Sequence, residues 1–284
     1  MLYRCLGRLP LPILYAIARI AYPLLYYVAG YRKAVVKDNL TRAFPDQSER
    51  DITLLAKKFY RQLAEVGVEI ARARYMGEDE FRRRVRIVNP ELVTEASRGF
   101  SQPVVIMTIH QGNWEWMLHG LSLALGKPLD PVYKPLHSPG ADRFMREVRS
   151  RFGSRPIPMG KASRDILKRR REFRLLVMVG DQSPIRRERS HWTQFMGSEA
   201  AFYLGAETIV RATDYPLLFA QCSRERRGKY RVKLHLLAQP PYDNKDHSLT
   251  ERYVDMAERA IREEPESWLW SNRRWKRRRE RDTS

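Results

Sequence analysis

Val104-Val-Ile-Met-Thr-Ile109 is an apolar run that leads directly into His110-Gln-Gly-Asn-Trp-Glu115, after which Trp114–Leu125 reads as a helix. A short apolar run, a tight turn around Gly112 and then a helical stretch form one strand–turn–helix unit. The same alternation recurs downstream. Short apolar runs at Leu129–Tyr133, Leu175–Val179 and Leu217–Gln221 are separated by helical stretches at Asp142–Phe152, Ser163–Arg170 and Ala206–Ala212. Strands alternating with helices predict an α/β fold with a mixed, largely parallel sheet flanked by helices. Tyr230–Leu237 alternates apolar with polar residues, as a half-exposed and antiparallel strand would. A last helix is expected from about Leu249 to Glu263, before a basic tail. Ligands of such sheets bind outside the carboxyl ends of the strands, so the turn carrying His110 is where chemistry is expected.

Upstream, Ser48 and Asp51 make a capping pair for a helix whose apolar face is Ile52, Leu55, Phe59, Leu63, Val66 and Ile70, with Gly77 as its stop. Further upstream, Leu9–Gly30 reads LPLPILYAIARIAYPLLYYVAG. Its length is close to the roughly 20 apolar residues a membrane span needs. Arg19 and the prolines at 10, 12 and 23 equally suit a tilted or interfacial helix, with the tyrosines at the wet boundary. Arg32, Lys33 and Lys37 follow, where anionic headgroups would hold them. Two segments are therefore expected: a membrane-associated N-terminal part over 1–31, retained rather than cleaved, and an α/β domain over 32–284. The alternative for the first is a buried core helix.

The 284 residues carry 53 Lys and Arg against 33 Asp and Glu, a net charge of +20. That excess calls for an anionic partner: a nucleic acid, an anionic bilayer or an acidic carrier or substrate. Cys5 and Cys222 have no metal-ligand spacing and are not expected to pair.

His110 at a strand's carboxyl end can act as a general base, since an imidazole ordinarily titrates at about 6.5. Glu115, five residues on, is expected to bond the other ring nitrogen and fix the tautomer. The backbone N–H groups at the helix start offer a place for developing negative charge. This spacing also suits a strand-end histidine that merely caps the next helix. No H-E-x-x-H or G-x-S-x-G occurs, so neither a zinc protease nor a serine hydrolase is signalled.

His110-Gln111-Gly112-Asn113-Trp114-Glu115 closely resembles the H-x-G-N-W-E block of the lipid A biosynthesis (lauroyl/myristoyl) acyltransferases, a branch of the glycerolipid acyltransferases with an H-x4-D/E motif. The resemblance covers nearly the whole chain. Asn39-Leu40, Ala43-Phe44-Pro45, Tyr133-Lys134-Pro135, Arg149 and Arg151-Phe152-Gly153, Gly180-Asp181-Gln182, Phe195-Met196-Gly197 and Trp270–Lys276 are similar to further family blocks in the same order. Asn272, where family members often carry His, and the basic stretch Pro184–Ser190 depart from the pattern. The resemblance implies His110 as base and Glu115 as its partner, with Asn113 and Trp114 shaping the turn. It also implies that Arg146, Arg149 and Arg151 bind substrate phosphates, and that Asp181 and Gln182 order the site. The arginine helix equally reads as a solvated face, and Asp181 as a turn residue. The implied donor is an acyl carrier protein thioester, or a coenzyme A thioester. The implied acceptor is an anionic glycolipid at the cytoplasmic face of a bacterial inner membrane, or else an aminolipid or lysophospholipid. Neither a metal nor another cofactor is required, but the acyl chain needs an apolar channel.

The rival from another class is a basic nucleic-acid-binding protein, suggested by Arg273–Arg279 with Trp268, Trp270 and Trp275 interleaved as stacking platforms. His119 and His235 read as structural, and His137, His191 and His247 as loop residues.

Overall fold

The computed structural model describes residues 2–185, 189–242 and 246–277; Arg186 and Arg187 of the basic stretch and residues 278–284 of the tail lie outside these. The chain begins with helices α1 (Leu2–Arg8), α2 (Leu11–Pro23), α3 (Lys33–Ala43), α4 (Glu49–Ala73) and α5 (Glu78–Arg84). Strand β1 (Val85–Ile87), α6 (Glu91–Ala96), β2 (Val104–Thr108), α7 (Trp114–Leu125), β3 (Leu129–Tyr133), α8 (Pro139–Arg149), β4 (Ile157–Pro158), α9 (Ala162–Lys168) and β5 (Leu175–Val179) follow. A hairpin, β6 (Ser190–Phe195) and β7 (Ser198–Tyr203), interrupts the alternation before α10 (Gly205–Thr213), β8 (Leu217–Arg226), β9 (Lys229–Ala238) and α11 (Ser248–Glu263).

Seven strands form one sheet in the order β1-β9-β8-β2-β5-β3-β4. Within this sheet, among the described residues, only the β8–β9 pairing is antiparallel, so the mixed, largely parallel α/β sheet read from the sequence is the fold. Every residue of β2 is buried, as expected of a central strand covered on both faces. Its alternation sends Val105 and Met107 into one core with α10 and α11, and Val104 and Ile106 into the other with α7 and α8.

The capping pair holds: the Ser48 hydroxyl accepts the Asp51 amide at 3.1 Å. The helix it starts ends at Ala73, and Gly77 stands instead at the N-terminus of α5. Burial on α4 is wider than the six-residue face and includes Glu65 and Glu69: Arg224 of β8 pairs with Glu65, and Tyr15 of α2 and Tyr230 of β9 donate to Glu69. Leu11, Leu14 and Ala18 of α2 are buried, and Tyr26, in the π-helical turn Leu24–Val28, packs edge-on against Tyr60 of α4 with ring centroids 5.2 Å apart. The opposite side of the same segment leaves Ile13, Ile20, Leu24, Tyr27, Val28 and Tyr31 exposed, Val28 by 77%. Leu11–Val28 is long and apolar enough to cross a membrane, yet one of its faces is docked on the domain.

The carboxyl-terminal segment closes the fold. Asn39 of α3 donates through Nδ2 to the carbonyls of Trp270 (2.7 Å) and Asn272 (2.6 Å), holding that segment against the N-terminal helices. Asn39→Ala leaves both partly or wholly buried carbonyls without this donor, at about 1–3 kcal/mol each where water cannot replace it. The urea midpoint of Asn39→Ala is expected to fall accordingly, with an unchanged slope; a variant as stable as the parent would refute the tie.

Candidate active site

The register of the two central strands builds the site. β2 and β5 pair in parallel with Thr108 opposite Val179, so two residues beyond each strand end His110 and Asp181 come side by side. His110 Nδ1 lies 2.6 Å from Asp181 Oδ1, and the His110 backbone N–H donates to Oδ2 at 3.0 Å. Trp268 Nε1 also donates to Oδ2, at 2.6 Å. Burial works to raise the Asp181 carboxyl, but the His110 charge and these hydrogen bonds outweigh it and hold the group below the usual carboxylate range. An ionised Asp181 only accepts, so Nδ1 carries the proton and Nε2 presents its lone pair. Gln182 Nε2 stands 3.4 Å from that second nitrogen.

The expected bond from Glu115 to the ring is corrected. Glu115 begins α7, and its buried carboxylate faces Arg149, accepting Nε at 2.9 Å and Nη2 at 2.5 Å. It also accepts Trp114 Nε1 at 3.1 Å. Five residues of separation allow a contact with His110, but a helical first turn aims the side chain along α7 toward α8. The sheet register supplies Asp181 to the ring instead. Burial pushes the Glu115 carboxyl up and the Arg149 guanidinium overcomes it, leaving the carboxyl lowered; Glu115 likewise holds Arg149 raised against its own burial. The Trp114 indole stands edge-on to the imidazole with centroids 5.1 Å apart, so it lies between the two ion pairs.

Of the three arginines, only Arg149 reaches this neighbourhood, with its guanidinium 5.7 Å from the Tyr133 ring centroid. Arg151 is directed elsewhere: it donates to the carbonyls of Ala73 and Met76, and so finishes α4. Arg146 pairs with Asp142 one turn away, at 3.0 Å, and is 54% exposed. Arg146 and Arg149 lie one turn apart on α8 but pair with different carboxylates, and Arg151 stands beyond the end of that helix.

The turn is clamped from below. Gly112 has φ +59°, and a Cβ there would lie 2.5 Å from the Cys222 carbonyl oxygen, so only glycine fits. The Gly112 amide donates to the Ser267 carbonyl and the Leu269 amide to the His110 carbonyl. Gln111 Nε2 donates to the Ala260 carbonyl at 2.7 Å. Asn113 caps α7, its Oδ1 accepting the Trp116 amide at 2.9 Å. The amides of Gly112 and Trp116 are thus occupied, which removes them from the donors expected for a developing oxyanion. Trp268 and Trp270 are buried in the core rather than offered as stacking platforms. No sequence signal marked Trp268 as part of the site; it reaches Asp181 across 87 residues of sequence.

The cavities include one of about 10 Å³ between Met107, Tyr203 and Tyr253, and one of about 320 Å³ at the β4 edge between Arg155, Lys161 and Arg169. His110 lines neither, so the expected apolar channel is found in neither of them. Among the described residues no cluster of three or more His, Cys, Asp or Glu side chains is placed to hold a metal ion.

His119, one turn after Glu115, is buried between Phe81 and Phe152, and neither ring nitrogen has a hydrogen-bond partner. Burial, partly opposed by Glu115, lowers its pKa to about 4. The unfolded chain then binds this proton more tightly than the folded one, so stability falls as pH drops from about 6.5 toward about 4. Between pH 7 and pH 5 this group alone is worth about 2 kcal/mol. His119→Leu is expected to lose that part of the acid slope in urea titrations at the two pH values; an identical slope would show the ring to be charged or solvated.

A search of curated proteins returns no match. The family model described as bacterial lipid A biosynthesis acyltransferase matches residues 1–277, nearly the whole chain. Spanning as it does the helix that carries the apolar stripe, both central strands and the segment that clamps the His110 turn, this match establishes that the chain belongs to the bacterial lipid A biosynthesis acyltransferases and is an acyltransferase.

Proposed function

We propose that the chain transfers a fatty-acyl group from an acyl carrier protein thioester to a hydroxyl of a lipid A precursor, with His110 as general base oriented by Asp181. The observation that carries this reading is the 2.6 Å contact of His110 Nδ1 with the buried Asp181 carboxylate. With Nδ1–H directed at Asp181, Nε2 is the unprotonated nitrogen, beside the Gln182 amide on a ring whose side chain is 18% exposed. It takes the proton of the acceptor hydroxyl as that oxygen bonds to the thioester carbonyl carbon. The carbon–sulfur bond then breaks, and the imidazolium returns the proton to the departing thiolate. Asp181 stabilises the imidazolium between the two steps. No acyl-enzyme is formed. General-base catalysis supplies about 10²–10⁴-fold, and the remainder falls to positioning and charge. Arg149, steadied by Glu115, stands one indole away and offers positive charge to an anionic substrate. The net charge of +20 favours encounter with an acidic carrier and an anionic lipid.

The same reading places α2 along the cytoplasmic surface of the inner membrane. A spanning orientation would carry the charged outer residues of α4, among them Lys58 and Arg61, into hydrocarbon. Lying flat, the stripe from Ile13 to Val28 enters one leaflet, while Tyr31, Arg32 and Lys33 meet the headgroups.

His110→Ala is expected to lower acyl transfer by about 10²–10⁴-fold, and Asp181→Asn to lower kcat roughly a hundredfold or more, with glycolipid KM little changed. Lipid mass spectrometry of cells without the gene should show a lipid A species lighter by one acyl chain. A change confined to an aminolipid or lysophospholipid would reassign the acceptor, and no change in any lipid would remove the reading. Ile20→Glu with Val28→Glu is expected to release the protein from anionic vesicles in flotation assays, since each apolar side chain buried contributes about 1.5–3 kcal/mol. Unaltered flotation would mean that another surface meets the bilayer.

A further inference from the structure

We propose that Glu69 is a positioning residue for acyl transfer, one buried carboxylate that ties the turn carrying His110 and Asn113 to α2, the helix with the apolar outer face. The inference rests on the reaction proposed above. Glu69 is wholly buried, and four elements converge on it. Oε1 accepts the Tyr15 hydroxyl of α2 at 2.8 Å. Oε2 accepts Asn113 Nδ2 at 2.9 Å and the Tyr230 hydroxyl of β9 at 2.6 Å. The Glu69 backbone carbonyl accepts Trp116 Nε1 of α7 at 2.9 Å.

The donor and acceptor inventory makes this arrangement directional. Asn113 Oδ1 is occupied by the Trp116 amide that it caps, so Nδ2 must point the other way, and Asn113 is fully buried. An amide nitrogen only donates, so the group opposite must accept. Glu69 does, and its orientation is set in turn by the hydroxyls of Tyr15 and Tyr230. The adjacent cations do not neutralise it directly: Arg224 and Arg227 both pair with Glu65. An apolar residue of similar volume would hold α4 against α7 without the cost of burying an acid. What the carboxylate adds is a fixed amide at Asn113, hence a fixed cap and a fixed path for Gly112 and His110. A displacement of about 1 Å at a reacting group costs about 10²-fold in rate.

A polarity swap tests this. Asn113→Asp keeps the cap but faces two carboxylates, and is expected to lower kcat about 100-fold. Glu69→Gln is expected to lower it about tenfold. The double variant restores a matched pair, with the new amide on α4 donating to the new carboxylate at the cap. It should return to within about tenfold of the parent with both KM values unchanged. Amide exchange across residues 110–117, measured without substrate, should quicken in Asn113→Asp and slow again in the double variant. Losses that multiply, or exchange that ignores the swap, would overturn the proposal. Should Asn113→Asp not fold, Asn113→Ser deletes the amide donor and keeps a cap; Glu69→Gln should then add no further loss, and a multiplied loss counts against the proposal. Tyr15→Phe should float with vesicles as before and lower kcat about fivefold; an unchanged kcat removes α2 from the link. If the parent acylates no lipid, the reaction reading fails, while the exchange measurement still decides whether Glu69 holds the turn.

Discussion

The in-register parallel pairing of β2 with β5 is the constraint on which the site depends. Backbone hydrogen bonding sets Thr108 opposite Val179, and the two chains then leave the sheet at the same level. His110 and Asp181 therefore meet because their strands end together, although 71 residues separate them. A register shift of one residue would turn every side chain of a strand to the other face and dissolve both cores as well as the dyad. The burial of all five β2 residues and the alternate assignment of Val104, Val105, Ile106 and Met107 to opposite cores hold that register in place.

Three buried acids stand in and around this dyad. Asp181 is satisfied by an imidazole, a backbone amide and an indole. Glu115 is satisfied by a forked guanidinium and a second indole. Glu69 has only neutral donors, and its carboxyl is raised by burial against the hydrogen bonds from Tyr230, Asn113 and Tyr15. The three acids thus do different work. One orients the ring, one steadies a cation at the wall, and one fixes the amide that caps α7.

The apolar N-terminal part is continuous with this network rather than appended to it. The side of α2 that carries Leu11, Leu14 and Ala18 packs into the domain, the same helix presents Tyr15 to Glu69, and its exposed residues include Ile13 and Ile20 beside Arg19. At the opposite end of the chain, residues 264–272 run under the His110 turn and are fastened to α3 by Asn39. The match to the bacterial lipid A biosynthesis acyltransferases spans all of these parts, from the first helix through the carboxyl-terminal segment.

Local periodicity by itself determined much of this protein. Short apolar runs placed β3 and β5, and a helical stretch placed α7, at their observed boundaries, and the antiparallel β9 and the capped start of α4 were legible from neighbouring residues alone. The order of motifs also identified the family. What the tertiary structure decided was partnership. Glu115 is near His110 in sequence, but a helix directs it to Arg149, whereas distant Asp181 is delivered by strand register. Trp268 and Trp270, which the tail's charge made look exposed, are core residues because the chain doubles back under the site. Glu65 and Glu69 lie outside the apolar face read on α4, and both are buried by groups distant in sequence: Arg224 meets Glu65, and Tyr15 and Tyr230 meet Glu69. Spacing along a chain encodes the local conformation of a side chain; which group it meets is set by how separate elements pack, and no spacing records that.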